Sequence, residues 1–533
     1  MTLDIIIKNG KILDGTGNPW FFADIEITEG KISKISQNLS TELDNAIIID
    51  ANGHVVSPGF IDVHSHADLS LIFDQNLECL AQQGITTVVV GNCGMSYAPL
   101  NPEKDDYFGK TFEINGKIHW HSFKEYLDAL ENQGSSLNVV PLVGFGIVRR
   151  SVLEDAPRRP SKQELKKMQS YVEEAMRAGA FGISTGLIYP PQTNANTKEI
   201  IECAKIVGKY GGLYFSHMRD EADFVLEAIE ELIKIVEKSR CRGGQISHIK
   251  VAGPLNWGKS TEILQLIEEA NNQGLIIRAD QYPYKRGMNS LKDSLPEWAK
   301  EGGNDAIIQR LHDLKSREQI KEDMEERFNR TKMSWDKIYI ASQRTDKWRE
   351  IEGLSISEIT KKKQSSSEFD IFYEILIDNH AHVEQITEYG HEDDLITLMK
   401  SRFTMIGTDG WSVQMGSGKP HPRFYGTYPR ILGKYVREEK VLRLEQAIRK
   451  MTSFPAQTLG LLDRGLLREG MWADIVIFDQ DRIIDRATYT DPHQYPDGIH
   501  YVIINGEIVV EDKKHTLAKP GKILRKNSPK NAR

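Results

Sequence analysis

Apolar positions along the chain change their period twice. Over residues 1–57 they form short β-rich runs: Asp4 to Ile7, Lys11 to Leu13, Asp24 to Thr28, Ile32 to Ser36 and Ala46 to Asp50. Asn9-Gly10, Gly15-Thr16-Gly17 and Glu29-Gly30 separate them, and Gly and Asn mark tight turns because they accept left-handed backbone. The same texture returns in Ala473 to Asp479, Tyr501 to Ile504 and Glu507 to Val510, around Asn505-Gly506. The two ends predict one small β-sandwich built from both termini (residues 1–57 and 462–533), with two separate flanking modules as the alternative.

Between residues 58 and 461 the pattern becomes short buried strands followed by helical segments. Eight runs fit strands: Gly59 to Val63, Thr86 to Gly91, Asn138 to Val143, Gly182 to Thr185, Gly212 to Ser216, Gln245 to Ser247, Leu275 to Asp280 and Phe403 to Gly407. Several are nearly continuous apolar stretches, as parallel strands covered on both faces require. Lys162 to Arg177 has helical spacing, with Ser161 placed as N-cap and Gly179 after the end. Phe224 to Glu237 and Thr261 to Asn271 read the same way. The fold class is therefore α/β, a (β/α)8 TIM-like barrel, whose chemistry is expected at the C-terminal ends of the strands.

Residues 285–380 break this rhythm with charged stretches at 316–330 and 361–370. Lying between the seventh and eighth strands, the insertion is expected over the catalytic face as a candidate lid; a helical decoration is the plainer alternative. The tail from Lys519 to Arg533 has six basic residues and no acid, and reads as a solvated, disordered end.

Composition narrows the class. The 533 residues are 39% hydrophobic and 27% charged, enough apolar material for a large core and too much for a disordered chain. Mean hydropathy is -0.44, and no apolar run approaches the ~20 residues of a spanning helix. Asp4 and the short apolar run after it argue against a secretory signal, so a cytoplasmic protein without a membrane partner is expected. A net charge of -8 with both signs interleaved argues against a nucleic-acid partner. Cys79, Cys93, Cys203 and Cys241 are too scattered for a disulfide framework.

The fifteen histidines carry the chemical signal. His-x-His occurs at His64/His66, His119/His121 and His380/His382, where chance supplies roughly 0.4 matches. Only His64 and His66 directly follow a barrel strand, Pro58 to Val63, and on extended backbone positions two apart face the same side. The other two pairs are set aside as decoys. Four further residues follow strand ends: Cys93 in Gly91-Asn92-Cys93-Gly94, His217 in Ser216-His217-Met218-Arg219-Asp220-Glu221, His248 in Ser247-His248-Ile249-Lys250 and Asp409 in Thr408-Asp409-Gly410. Each alone has an ordinary reading, a buried small hydrophobe or a satisfied core histidine. Together, His64, His66, Cys93, His217, His248 and Asp409 form a mixed N/S/O donor set suited to Zn2+, which generates hydroxide from water near neutral pH.

The segment Pro58 to His66, with the later histidines, Asp409 and the closing stretch Arg464 to Val476, resembles the amidohydrolase superfamily. Gly91-Asn92-Cys93-Gly94, Ser247-His248-Ile249-Lys250, Asp280-Gln281-Tyr282-Pro283-Tyr284 and His421-Pro422-Arg423-Phe424-Tyr425-Gly426-Thr427 narrow the likeness to its D-aminoacylase, or N-acyl-D-amino-acid deacylase, family. The resemblance covers essentially the whole chain and is weakest over 285–380. The fourth strand, Phe181 to Gly186, lacks the carboxylated lysine of many superfamily members, and the resemblance implies that the Cys93 thiolate replaces it. It further implies one tight zinc at Cys93, His217 and His248 and a second, weaker site at His64 and His66. Asp409 becomes the acid/base, Arg423 the grip on the substrate carboxylate, and Lys250 and Tyr282 further substrate contacts. The implied substrate is a small N-acyl-D-amino acid, cleaved to a carboxylate and a free D-amino acid.

Two alternatives stay open on the residues. A cyclic-amide hydrolase of the hydantoinase or dihydroorotase type uses nearly the same metal apparatus, although Cys93 and the Arg423 segment argue against it. A catalytically silent scaffold would keep the barrel for assembly. Preferred side chain, acyl length and oligomeric state have no signature in the sequence.

Overall fold

The computed structural model describes residues 4–40, 46–101 and 118–526. Its centre is a ring of parallel strands in two arcs. Phe60–Asp62, Ile85–Val90 and Asn138–Pro141 form the first. Val143–Gly144, Gly182–Gly186, Leu213–His217, Gly243–Ile246, Ile277–Gln281 and Thr404–Ile406 form the second. The third strand passes from one arc to the other through Leu142, and a parallel bridge between Ser65 and Gly410 closes the opposite seam. The (β/α)8 barrel is thus complete, and His64 and Asp409 flank its closing seam, where the Asp409 amide donates to the His64 carbonyl at 2.7 Å.

Local sequence explains the ring. Every residue of Ile85–Val90 is buried, because helices cover the outer face and side chains fill the barrel interior. The helix Lys162–Ala178 starts with Ser161 accepting from the Glu164 amide in a capping box and stops at Gly179 with φ +113°. Helices Val225–Ser239 and Ser260–Asn272 follow the fifth and sixth strands. Among the described residues no helix is long and apolar enough to cross a membrane.

Strands from both ends of the chain share one continuous nine-stranded sheet. Its order is Lys514–His515, Glu507–Glu511, Ile499–Ile504, Ile475–Phe478, Val55–Pro58, Ile5–Ile12, Phe21–Thr28 and Lys31–Ser36, with Ile47–Asp50 also on Ile5–Ile12. The two ends meet where Ile475 pairs with Pro58 and Phe478 with Val55, antiparallel. Ile5, Ile7, Ile25, Ile475, Ile477 and Ile503 form a core of its own.

The insertion has a third core. Arg286–Ser290, Ile338–Ser342 and Glu384–Glu388 make a small antiparallel sheet, and Leu291, Leu311, Ile340, Trp348 and Phe372 are buried beneath its helices. Residues on it, including Ser290, Lys292, Arg344 and Glu384, form one wall of a cavity of about 1380 Å³ at the barrel mouth.

The basic tail departs from the expectation of a solvated end as far as residue 526. Gly521 donates to the Ser135 carbonyl and Lys526 to the Gly179 carbonyl. Lys522 Nζ lies 3.4 Å from the centre of the Trp472 ring, and Arg525 pairs with Asp128 and Glu131 at 2.6 and 2.9 Å. Partners far away in sequence capture these cations, which composition alone does not reveal. Residues 527–533 of the same tail lie outside the described residues.

Candidate metal centre

The second strand ends at Val90, and the chain turns sharply through Gly91, φ +83°. A Cβ on Gly91 would lie 2.1 Å from the Leu142 carbonyl oxygen, so only glycine allows this close approach to the third strand. The turn delivers Cys93 into the barrel mouth with its own φ at +53°. His248 and Asp409 also hold left-handed backbone, at φ +34° and +49°. Three non-glycine residues in a sparsely populated conformation mark a site where position outweighs local comfort.

Around the Cys93 sulfur the imidazoles converge. His64 Nε2 is 3.4 Å away, His248 Nε2 3.6 Å and His217 Nδ1 3.8 Å. His64 also joins a second group, with its Nε2 3.5 Å and His66 Nε2 3.3 Å from Asp409 Oδ1. His64, Cys93 and His248 can present donor atoms to one ion, as can His64, His66 and Asp409, and also His217, Glu221 and His248. The six residues expected to bind metal are therefore brought together. Of the other His-x-His pairs, His119 and His121 are exposed. His380 pairs with Asp305 at 2.9 Å and His382 with Asn304 at 3.1 Å.

Electrostatics agree with the geometry. Burial alone would raise the Cys93 thiol, but His64 and His66 beside it, with bonds from His217 and His248, hold it well below its usual value. Burial opposes charge on Asp409 too, and the Arg423 guanidinium, then His248, overrides it and keeps the carboxyl well below its usual range. His217 Nε2 is buried without a hydrogen-bond partner. The Cys93 sulfur ringed by His64 Nε2, His248 Nε2 and His217 Nδ1 is a donor set that fits a borderline-soft divalent cation such as zinc.

Outer contacts fix these donors. His64 Nδ1 is 3.2 Å from Asp280 Oδ1, and Asp280 also accepts from the His248 amide at 2.8 Å and Gln245 Nε2 at 2.6 Å. Asp62 accepts from the Thr408 hydroxyl at 2.5 Å and amide at 2.9 Å, tying the first strand to the eighth. A carboxylate behind a ligating histidine sets its tautomer and aim. Glu221 serves two residues at once: its Oε1 is 3.0 Å from His248 Nδ1 and 2.6 Å from Lys250 Nζ. Sequence reading assigned no role to Asp62, Glu221 or Asp280. Glu221 carried a faint signal four residues after His217.

The expected substrate contacts face the same cavity. Lys250, Tyr282 and Arg423 all line it. Arg423 Nη1 is 2.8 Å from Asp409 Oδ2, and its guanidinium lies 4.8 Å from the Tyr282 ring centre. Its Nε is buried and has no hydrogen-bond partner. The Tyr282 hydroxyl pairs at 2.7 Å with that of Tyr389, a cavity residue that sequence reading did not single out. The site combines a thiolate-imidazole cluster, a buried carboxylate and a cation with a spare donor, all open to one cavity.

Comparison with known proteins gives a consistent result. A family model described as Amidohydrolase family matches residues 48–261 and 366–510. The D-aminoacylase of Alcaligenes xylosoxydans xylosoxydans is 33% identical over 524 residues, 98% of this chain and 97% of that one. The N-acyl-D-aspartate deacylase of the same organism is 33% identical over 532 residues, 98% and 95% of the two chains. Among solved structures, the N-acyl-D-glutamate deacylase of Bordetella bronchiseptica, complexed with zinc and a phosphonate mimic of the tetrahedral intermediate, superimposes with a TM-score of 0.83. That pair shares 32% identity and covers 98% of this chain and 100% of that one.

Proposed function

Because this chain belongs to the amidohydrolase family, and within it to the D-aminoacylases, we propose that it is a metal-dependent deacylase. It hydrolyses the linear amide bond of N-acyl-D-amino acids to a carboxylate and a free D-amino acid. The observation that carries this reading is the Cys93 sulfur among three imidazoles, with Asp409 and Arg423 reaching the same cavity. D-selectivity rests on what the relatives act on, since residue spacing encodes no handedness.

Cys93, His217 and His248 would hold a first zinc, and His64 and His66, with Asp409, would complete a second, weaker site. Zinc there would supply Lewis-acid polarisation of the scissile carbonyl and a lowered pKa for water. The protein's own groups do the rest. Asp409 Oδ1, beside His64 and His66 at the metal cluster, is placed to take the proton of the attacking water and pass it to the departing nitrogen, the role that the family resemblance implies. Arg423 grips the substrate carboxylate: its buried, unpartnered Nε and its planar fork suit bidentate recognition. Lys250, held by Glu221 at 2.6 Å, hydrogen-bonds the substrate. Tyr282, steadied by Tyr389 at 2.7 Å, assists in carboxylate binding.

A hydrolysis panel tests the proposal. N-acetyl derivatives of D- and L-amino acids with acidic, apolar and aromatic side chains, and a five-membered cyclic diamide, are each incubated with zinc-loaded enzyme and assayed for released amine or opened ring. Free D-amino acid from at least one class, with L-isomers and cyclic amide untouched, is the expected result. Ring opening without release from any N-acyl-D-amino acid overturns it in favour of a cyclic-amide hydrolase.

A further inference from the structure

Away from the barrel mouth, a second group of metal-type side chains sits in the terminal sheet. His54, Asp479 and His500 each present a donor atom within 4.8 Å of the others, and none lines the large cavity. The topology explains their meeting. His54 immediately precedes Val55–Pro58, Asp479 immediately follows Ile475–Phe478, and His500 lies on Ile499–Ile504. These three strands are neighbours: Val55 pairs with Phe478, and Phe478 with Ile499. The cluster therefore lies at one end of the seam where the N-terminal and C-terminal segments join.

His500 is held as a ligating histidine is. His500 Nδ1 is 3.2 Å from Asp512 Oδ1, while His500 Nε2 is buried and has no hydrogen-bond partner. A carboxylate on one ring nitrogen, with the other left bare, is the outer-contact pattern that orients a ligating histidine. The His54 and His500 rings stack, 4.7 Å between centres and 15° between planes, so sharing an ion requires His54 to turn its ring out of the stack. Asp479 Oδ1 accepts from the Asp481 amide at 2.8 Å, and Arg482 Nε stands 3.7 Å from Asp479 Oδ2 on a side chain 83% exposed, too loose to neutralise it.

We propose that His54, Asp479 and His500 form a further transition-metal site, distinct from the catalytic centre, that clips the two ends of the chain together. Two imidazoles and one carboxylate suit Zn2+, Co2+ or Ni2+ rather than Mg2+ or Ca2+. Its ligands come from segments more than 400 residues apart in sequence, so the ion closes a very long loop and acts on stability rather than on turnover.

The test uses the full-length protein, stripped with chelator, reloaded with excess Zn2+ and desalted, beside His54→Gln and His500→Gln. Metal is counted by mass spectrometry, and thermal midpoints are read with and without added Zn2+. The wild type is expected to keep about one more equivalent of zinc than either variant and to gain a few degrees more on zinc addition, with unchanged kcat. An anomalous-difference peak between the three side chains in zinc-soaked crystals gives the same answer without mutation. Equal zinc content and equal thermal response in all three proteins, or no peak there at saturating zinc, overturns the proposal.

Discussion

Arg423 Nη1 lies 2.8 Å from Asp409 Oδ2 while the other oxygen of Asp409 faces His66 at 3.3 Å, so one buried carboxylate links the cation of the substrate pocket to the metal cluster. This ion pair holds Oδ2 against the guanidinium and leaves Oδ1 on the side of His64 and His66. Asp409→Asn preserves size and leaves Cys93, His217 and His248 in place. The expected outcome is retained tight-site zinc with kcat reduced about 10²- to 10⁴-fold, the usual worth of a positioned acid/base. Metal analysis beside steady-state kinetics checks it, and near-normal turnover would remove Asp409 from the mechanism.

The same guanidinium gives a second prediction. Replacing Arg423 by Ala disturbs Asp409 for every substrate, but only a substrate with a free carboxylate also loses its grip. Comparing an N-acyl-D-amino acid with its carboxamide separates the two effects. The kcat/KM of the acid should fall roughly 10- to 100-fold further than that of the amide, the worth of a charge-assisted bond. Arg423→Lys should recover little, because an ammonium lacks the planar fork. Equal losses would assign Arg423 to Asp409 alone.

Glu221 binds both His248 and Lys250, at 3.0 and 2.6 Å, and is itself held strongly ionised, burial being outweighed by Lys250 and the two histidines. Glu221→Gln keeps the shape but removes the charge that anchors Lys250. KM should rise along with a fall in kcat, whereas Lys250→Ala, which leaves His248 with its carboxylate, should act mainly on KM. Identical profiles for the two variants would show that Glu221 does no more than hold the lysine.

Much of the barrel was legible because strands buried on both faces read as continuous apolar runs. Cys93, His217, His248 and Asp409 stood out because each follows such a run. Glu221, Asp62 and Asp280 were not legible for the opposite reason: an acid near a histidine is common in sequence. Only the ring closure shows that Asp280, on the seventh strand, stands 3.2 Å behind His64, just past the first. Tyr389 reaches Tyr282 across the edge of the insertion, a contact between segments 107 residues apart. The tail failed on composition, since the cations at Lys522 and Arg525 looked solvated until Trp472, Asp128 and Glu131 were found beside them.

Access separates the four cysteines. All four are buried, but Cys93 lines the cavity and Cys79, Cys203 and Cys241 do not, and burial pushes the Cys79 and Cys241 thiols up to about 11 and about 12. In chelator-treated protein at neutral pH, iodoacetamide should label Cys93 first, and prior loading with zinc should protect it. Peptide mass spectrometry reads both. Labelling spread over all four cysteines, or no protection by zinc, would take Cys93 out of the ligand set.

Glu384, on the wall contributed by the insertion, gives a pH dependence of known sign. Burial, then the neighbouring Asp293, push its carboxyl up to about 7, against the pull of Lys292, Arg423 and Arg344. The folded protein therefore holds a proton at this position that the unfolded chain has released above its ordinary value of 4.5. Stability from that proton is fully present below pH 4.5 and is lost as pH rises through about 7. Glutamine mimics the neutral acid at every pH. The thermal midpoint of Glu384→Gln minus that of the wild type should accordingly climb between pH 5 and pH 8 and then level off. A difference that stays flat across this range would mean that the carboxyl is ionised in the folded protein throughout, its charge absorbed by Lys292 and the two arginines.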